Sequence, residues 1–129
     1  MNRFLLLILI LGLAATSFAQ SAKKPDAVVR DFIAAFNAQD VDRTIALTSK
    51  DMKWFTLSGS TIMTETANQD ELRAFLVAYF KSCPSCKSKI SNLMASGSRV
   101  SFTETASWKT DKGVEFKDNY AVYEVENGL

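Results

Sequence analysis

The chain has 129 residues, with 15 basic side chains against 14 acidic ones, two cysteines and no histidine. Balanced charge gives no electrostatic reason to expect a nucleic acid or an anionic membrane surface as partner. The lack of histidine excludes histidine general bases, Ser-His-Asp and Cys-His nucleophiles and most zinc sites, and two cysteines cannot make a four-thiolate metal site.

The N-terminus is organised as an export signal. Arg3 gives a positive start, Phe4 to Leu13 are almost unbroken apolar residues, and Ser17-Phe18-Ala19 puts small residues where a signal peptidase reads. The apolar run is about ten residues, against the roughly 20 that a membrane-spanning helix needs. Residues 1–19 are therefore expected to leave as a signal peptide. Residues 20–129 would then form one secreted or periplasmic domain with no membrane attachment.

In chain order, Pro25 suits the first turn of a helix, where its missing N–H would have no partner. Val28, Val29, Phe32, Ile33 and Phe36 recur at helical spacing and define a buried stripe. Asn37-Ala38-Gln39-Asp40 breaks it, and Asp40 can cap a short helix over Val41 to Leu47. Met52 to Leu57 reads as a strand ending at Ser58-Gly59-Ser60, with Thr61 to Thr66 returning beside it. Asn68 or Asp70 caps a third helix with the stripe Leu72, Phe75, Leu76 and Tyr79, stopped before Pro84. Lys87 to Ser96 and Arg99 to Trp108 alternate as strands about Gly97-Ser98, and Asp111-Lys112-Gly113 leads into a last strand, Val114 to Glu126. Asn127-Gly128 is a strong two-residue hairpin signal, followed by Leu129 alone. Helices followed by an antiparallel meander predict an α+β domain with helices on one sheet face.

The run Asp31-Phe32-Ile33-Ala34-Ala35-Phe36-Asn37-Ala38-Gln39-Asp40-Val41-Asp42, with Ala46-Leu47 and the aromatic strand after it, resembles the opening of SnoaL-like members of the nuclear transport factor 2-like superfamily. The ending Ala121-Val122-Tyr123-Glu124-Val125-Glu126-Asn127-Gly128-Leu129 resembles that family's penultimate strand and final turn. The resemblance implies a cystatin-like cone, in which a curved, mainly antiparallel sheet closes with three helices around a cavity. It also implies a further, central strand beyond the Asn-Gly turn, so the expectation is a shortened version of a longer protein, the alternative being a strand supplied by a partner. Family members include isomerases, dehydratases, cyclases, dimerisation modules and plain binding proteins. Against the ketosteroid isomerase branch, the catalytic tyrosine falls on Phe32, the general-base aspartate on Thr56 and a second acid near Ala121. A phenyl ring cannot donate to an oxyanion and a threonine cannot act as base near neutral pH, so that chemistry does not carry over.

Glu104 is the candidate acid. One face of its strand is Val100, Phe102, Glu104, Ala106 and Trp108, so a carboxylate shares an apolar surface where burial disfavours its charged form. Two structural alternatives stand beside a catalytic role: the face turns toward solvent there, or the carboxylate pairs with a basic or hydroxyl neighbour. Phe32, Phe36, Trp54, Tyr79, Phe102, Trp108 and Tyr120 are candidate pocket residues, and aromatic stripes also make ordinary core. Cys83-Pro84-Ser85-Cys86 follows a helix end, the wrong pole for a redox thiolate, so a short structural disulfide is expected. No carboxylate cluster suggests a metal site, and no cofactor is expected. The leading expectation is a domain that binds a small apolar molecule or a protein partner without catalysis. The alternatives are a cofactor-independent lyase or isomerase using Glu104 with Tyr79 or Tyr120 as donor, and a homodimerisation module built on the outer sheet face.

Overall fold

The computed structural model describes residues 23–129. The signal peptide read over residues 1–19 lies outside them. Helix α1 spans Pro25–Asn37, with Pro25 in its first turn as expected. Helix α2, Val41–Ala46, is capped by Asp40, whose carboxylate accepts from the Arg43 N–H at 3.0 Å. Strands β1 (Trp54–Ser58) and β2 (Thr61–Thr66) form a hairpin. Helix α3, Gln69–Ser82, takes Asn68 as its cap: the Asn68 side chain accepts from the Glu71 N–H at 2.9 Å. Glu71 reaches back to accept from the Ala67 N–H at 2.8 Å, so two amides at the helix start are satisfied by side chains.

Strands β3 (Lys87–Ser96), β4 (Arg99–Thr110) and β5 (Gly113–Glu124) form an antiparallel sheet in the order β3-β4-β5, separate from the β1–β2 hairpin. Past β5, the Glu126 N–H donates to the Leu129 carbonyl and the Leu129 N–H to the Glu126 carbonyl, each at 3.0 Å. Asn127 and Gly128 between them have φ of 53° and 80°, so this turn has the left-handed backbone that two-residue hairpins of type I′ need.

The register of β3 holds one departure from simple alternation. Ser91 opposes Thr103 and Met94 opposes Ser101, so Asn92 and Leu93 together face Phe102. Asn92 supplies the extra residue with φ of 51°, a conformation asparagine tolerates better than most residues. The bulge turns Leu93 onto the core and leaves Met94 exposed.

The core has two parts. Val28 and Val29 of α1 pack with Val100, Phe102 and Val125 beneath the sheet. Ile45, Leu72, Leu76 and Phe80 pack between α2 and α3, with Phe36 of α1 lying against them. Burying each such side chain contributes about 1.5–3 kcal/mol. Cys83 and Cys86 form a disulfide, as expected from their spacing. The loop between them is fastened on both sides: Gln39 donates to the Pro84 carbonyl at 2.9 Å, and the Lys109 N–H donates to the Ser85 hydroxyl at 3.0 Å.

Two stability measurements follow from these contacts. Replacing both cysteines with serine should cost about 2 kcal/mol, the loop-closure value for so short a bridge, read as a lower urea midpoint at unchanged slope. Asn68→Ala should cost about 1 kcal/mol through the lost helix cap, and an unchanged midpoint there would mean that water replaces the cap without loss.

Candidate functional site

Strand alternation determines what faces the helices. On β4 the inward residues are Val100, Phe102, Glu104, Ala106 and Trp108. Their partners on β5 are Tyr123, Ala121, Asn119, Lys117 and Glu115 in that order. On β3, Ser88 opposes Ala106 and Ile90 opposes Glu104. Ser88 and Glu104 are thus diagonal neighbours on one face, within reach across the sheet.

Glu104 is half-buried. The Ser88 hydroxyl donates to its Oε1 in a short contact, and Ser88 itself is only 6% exposed. Of the alternatives left open by the sequence, the structure takes the hydroxyl neighbour. The negative charge of Glu104 reaches two phenols. Tyr79 on α3 is half-buried, and burial, then the charge of Glu104, raises its pKa above the ordinary value. The same two causes in the same order raise Tyr123 further. Both phenols therefore stay protonated, and able to donate, throughout the physiological range. Tyr123 is strongly desolvated, yet part of its side chain is open.

The aromatic residues form two groups. Tyr123 meets Phe102 edge-on with ring centres 5.1 Å apart, and Phe32 at 5.7 Å. On the helical side, Tyr79 stacks on Phe75 at 5.5 Å and lies 5.8 Å from Phe36, which meets Phe80 at 5.1 Å. Trp54 touches Phe75 at 5.0 Å from the margin of the β1–β2 hairpin. The charge of Glu104 reaches a phenol in each group, and the boundary between the sheet-side and helix-side aromatic groups is termed the seam. Trp108 is half-buried farther along the same face.

The pocket set read from the sequence needs correction at Tyr120. It opposes Thr103, on the outward face of β4, and is 93% exposed. The inward phenol on β5 is Tyr123, three positions later and therefore on the opposite face. Phe102 is sealed in the core and offers no open surface. Phe32 packs against Tyr123 on the sheet side, and Phe36 and Tyr79 pack together on the helical side. Phe75, read from the sequence as part of the α3 stripe, joins this aromatic packing, as do Phe80 and Tyr123, which were not singled out; for Tyr123, its even spacing from Ala121, the position aligned with the family's second acid, was the available signal. Tyr123 packs inward on Phe32 and Phe102. Two hollows among the described residues lie away from Glu104: one of about 390 Å³ against Phe55, Leu57 and Ile62 of the hairpin, and a polar one of about 410 Å³ between Ser49 and Asp51 and the Glu124–Leu129 segment. Among the described residues, no three acids or cysteines converge to hold a metal ion.

This arrangement of three helices, a hairpin and a three-stranded meander can be compared with known proteins. Residues 29–129 match the family model described as a SnoaL-like domain. The chain belongs to the SnoaL-like domain family. No curated protein sequence matches this SnoaL-like domain. Among solved structures, an uncharacterised cystatin-fold protein from Novosphingobium aromaticivorans superimposes with a TM-score of 0.71 at 27% identity, over 81% of this chain and 91% of that one. An NTF2-like protein of unknown function from Burkholderia pseudomallei gives 0.66 at 21% identity, over 81% and 82%. An LEH-like epoxide hydrolase from M. tuberculosis gives 0.62 at 18% identity, over 81% and 74%. The SnoaL-like domain therefore has the α+β architecture of cystatin-like and NTF2-like proteins, with helices packed on antiparallel sheets.

The raised phenols have a consequence for alkaline stability. An unfolded chain releases a tyrosine proton near pH 10, whereas Tyr123 in the folded chain holds its proton to a higher pH. Its contribution is complete below the unfolded value and is lost as pH rises toward the folded one. Thermal melts of wild type should therefore fall more steeply above about pH 10 than those of Tyr123→Phe. Parallel curves would show that the phenol is solvated in the folded state.

Proposed function

We propose that this SnoaL-like domain is an exported binding protein for a small, largely apolar, flat molecule carrying one polar group. The reading rests on Glu104, a half-buried carboxylate on the helix-facing side of the sheet whose charge reaches two phenols with raised pKa values. SnoaL-like and NTF2-like domains often bind ligands or act as cofactor-independent isomerases or hydratases. The seam supplies aromatic walls for the guest body, a carboxylate acceptor for a hydroxyl or amine, and phenol donors for a carbonyl.

The test is titration by NMR with 2-naphthol and with 2-methylnaphthalene, which keeps the same flat body without the hydroxyl. Shifts should map to Phe32, Phe36, Tyr79 and Tyr123, and 2-naphthol should bind more tightly. Glu104→Gln should weaken 2-naphthol about tenfold, the lower range for a hydrogen bond to a charged group, and leave 2-methylnaphthalene unchanged. Equal loss for both, or shifts confined to the hairpin hollow, would refute the seam as the site. A carboxylate and a phenol on one guest are also the parts needed for proton abstraction beside a carbonyl. Turnover of an enolisable ketone that disappears in Glu104→Gln would convert the binding protein into an isomerase or lyase.

Export rests on the N-terminal pattern of Arg3, the Phe4–Leu13 apolar run and Ser17-Phe18-Ala19. Material recovered outside the cytoplasm should begin at Gln20 by intact mass, and an unprocessed Met1 form there would overturn the cleavage site. A second reading, a homodimer, is favoured by one observation: the outward residues of β5 include Val114, Phe116, Tyr120 and Val122, all exposed, with Phe116 and Val122 each at 67%. Sedimentation in dilute solution should then give twice the chain mass, reverting to one with Phe116→Lys.

A further inference from the structure

Asn37 ends α1, and its side chain does the work of a missing strand. Nδ2 donates to the Ser88 carbonyl at 2.7 Å, and Oδ1 accepts from the Ser88 N–H at 2.7 Å. β3 is an edge strand with β4 on one side, so at Ser88 this amide pairs with backbone groups that point off the sheet. A primary amide carries a donor and an acceptor side by side, as a peptide does; a carboxylate cannot donate and an ammonium cannot accept. One residue earlier, Lys87 donates to the Asn37 main-chain carbonyl, fastening the same helix end.

The contacts continue to the candidate site. Ser88, held on its backbone by Asn37, donates its hydroxyl to Oε1 of Glu104. Because Ser88 is buried and both of its backbone groups are engaged, its hydroxyl has little freedom to wander. Occupation of Oε1 leaves Oε2, which has no hydrogen-bond partner among the described residues, as the oxygen available to a guest. We propose that Asn37 and Ser88 are positioning residues of the Glu104 site: they hold the carboxylate in one orientation, so that it selects guests offering a single hydroxyl or amine donor. The selection rests on the binding reading above; the positioning does not.

The experiment therefore has one arm without ligand and one with it. In the first, ¹³C relaxation at the Glu104 γ-methylene reports side-chain order in wild type, Ser88→Ala, the hydroxyl-retaining Ser88→Thr, and the isosteric Asn37→Asp, which replaces the amide donor with a charged acceptor. Order should fall in Ser88→Ala and Asn37→Asp and be retained in Ser88→Thr. In the second, Ser88→Ala and Asn37→Asp should each weaken 2-naphthol several-fold, spare 2-methylnaphthalene, and add no further loss in a Glu104→Gln background. Unchanged Glu104 order in both variants overturns the positioning role whatever binds. Equal weakening of the two probes also overturns it, since a purely structural contact would loosen the whole seam. Lost order in variants of a protein that binds neither probe supports the positioning and retires the binding reading.

Discussion

The arrangement depends on α1 serving two cores at once. Its N-terminal half lays Val28 and Val29 against Val100 and Phe102 of the sheet, while its C-terminal half sends Phe36 into the packing of α2 and α3. A helix committed to both cannot slide toward either without exposing apolar surface, at about 25 cal/mol for each Å² returned to water. The distance between sheet and helical layer is set in this way, and the seam that contains Glu104 is what lies between. Asn37 at the helix end converts that distance into a registered contact with β3.

Within the seam, electrostatics and sterics act together. The two phenols would be protonated at neutral pH in any setting; burial extends that range upward, and the charge of Glu104 adds to the effect because it would repel a phenolate. The same carboxylate is held by a hydroxyl rather than by a lysine or arginine. It is therefore oriented without being neutralised by a cation, which preserves its ability to accept from a guest. In the binding role proposed here, the inward packing of Tyr123 on Phe32 and Phe102 limits the size of a guest.

Local elements were legible in the sequence, because each has a local cause. Pro25, Asp40 and Asn68 open three helices, and the alternation of Val100, Phe102, Glu104, Ala106 and Trp108 correctly assigns one face of β4. Face assignment on β5 was harder to read. Val114, Phe116, Tyr120 and Val122 are the more apolar set and would be turned inward by hydrophobicity alone, yet the register with β4 turns them outward and brings Asn119, Ala121 and Tyr123 in. The Asn37–Ser88 pairing spans 51 residues and follows no periodic pattern, so nothing local announces it. The bulge was hidden for a similar reason, although the adjacent Leu93-Met94 pair breaks strict alternation and hints at it.

That bulge also gives β3 some slack. Asn92 is an unpaired extra residue between two stretches whose registers with β4 are each regular. Losing one residue there would let Leu93 face Phe102 in an ordinary ladder, with Ser91 and Met94 keeping their present partners. The strand can thus absorb a one-codon deletion at its middle and still deliver Ser88 to the same side of the sheet. The uninterrupted ladder of β5 offers no such allowance, since a deletion near its centre would invert every side chain on one side of the cut. Natural variation in length should therefore concentrate in β3 rather than β5.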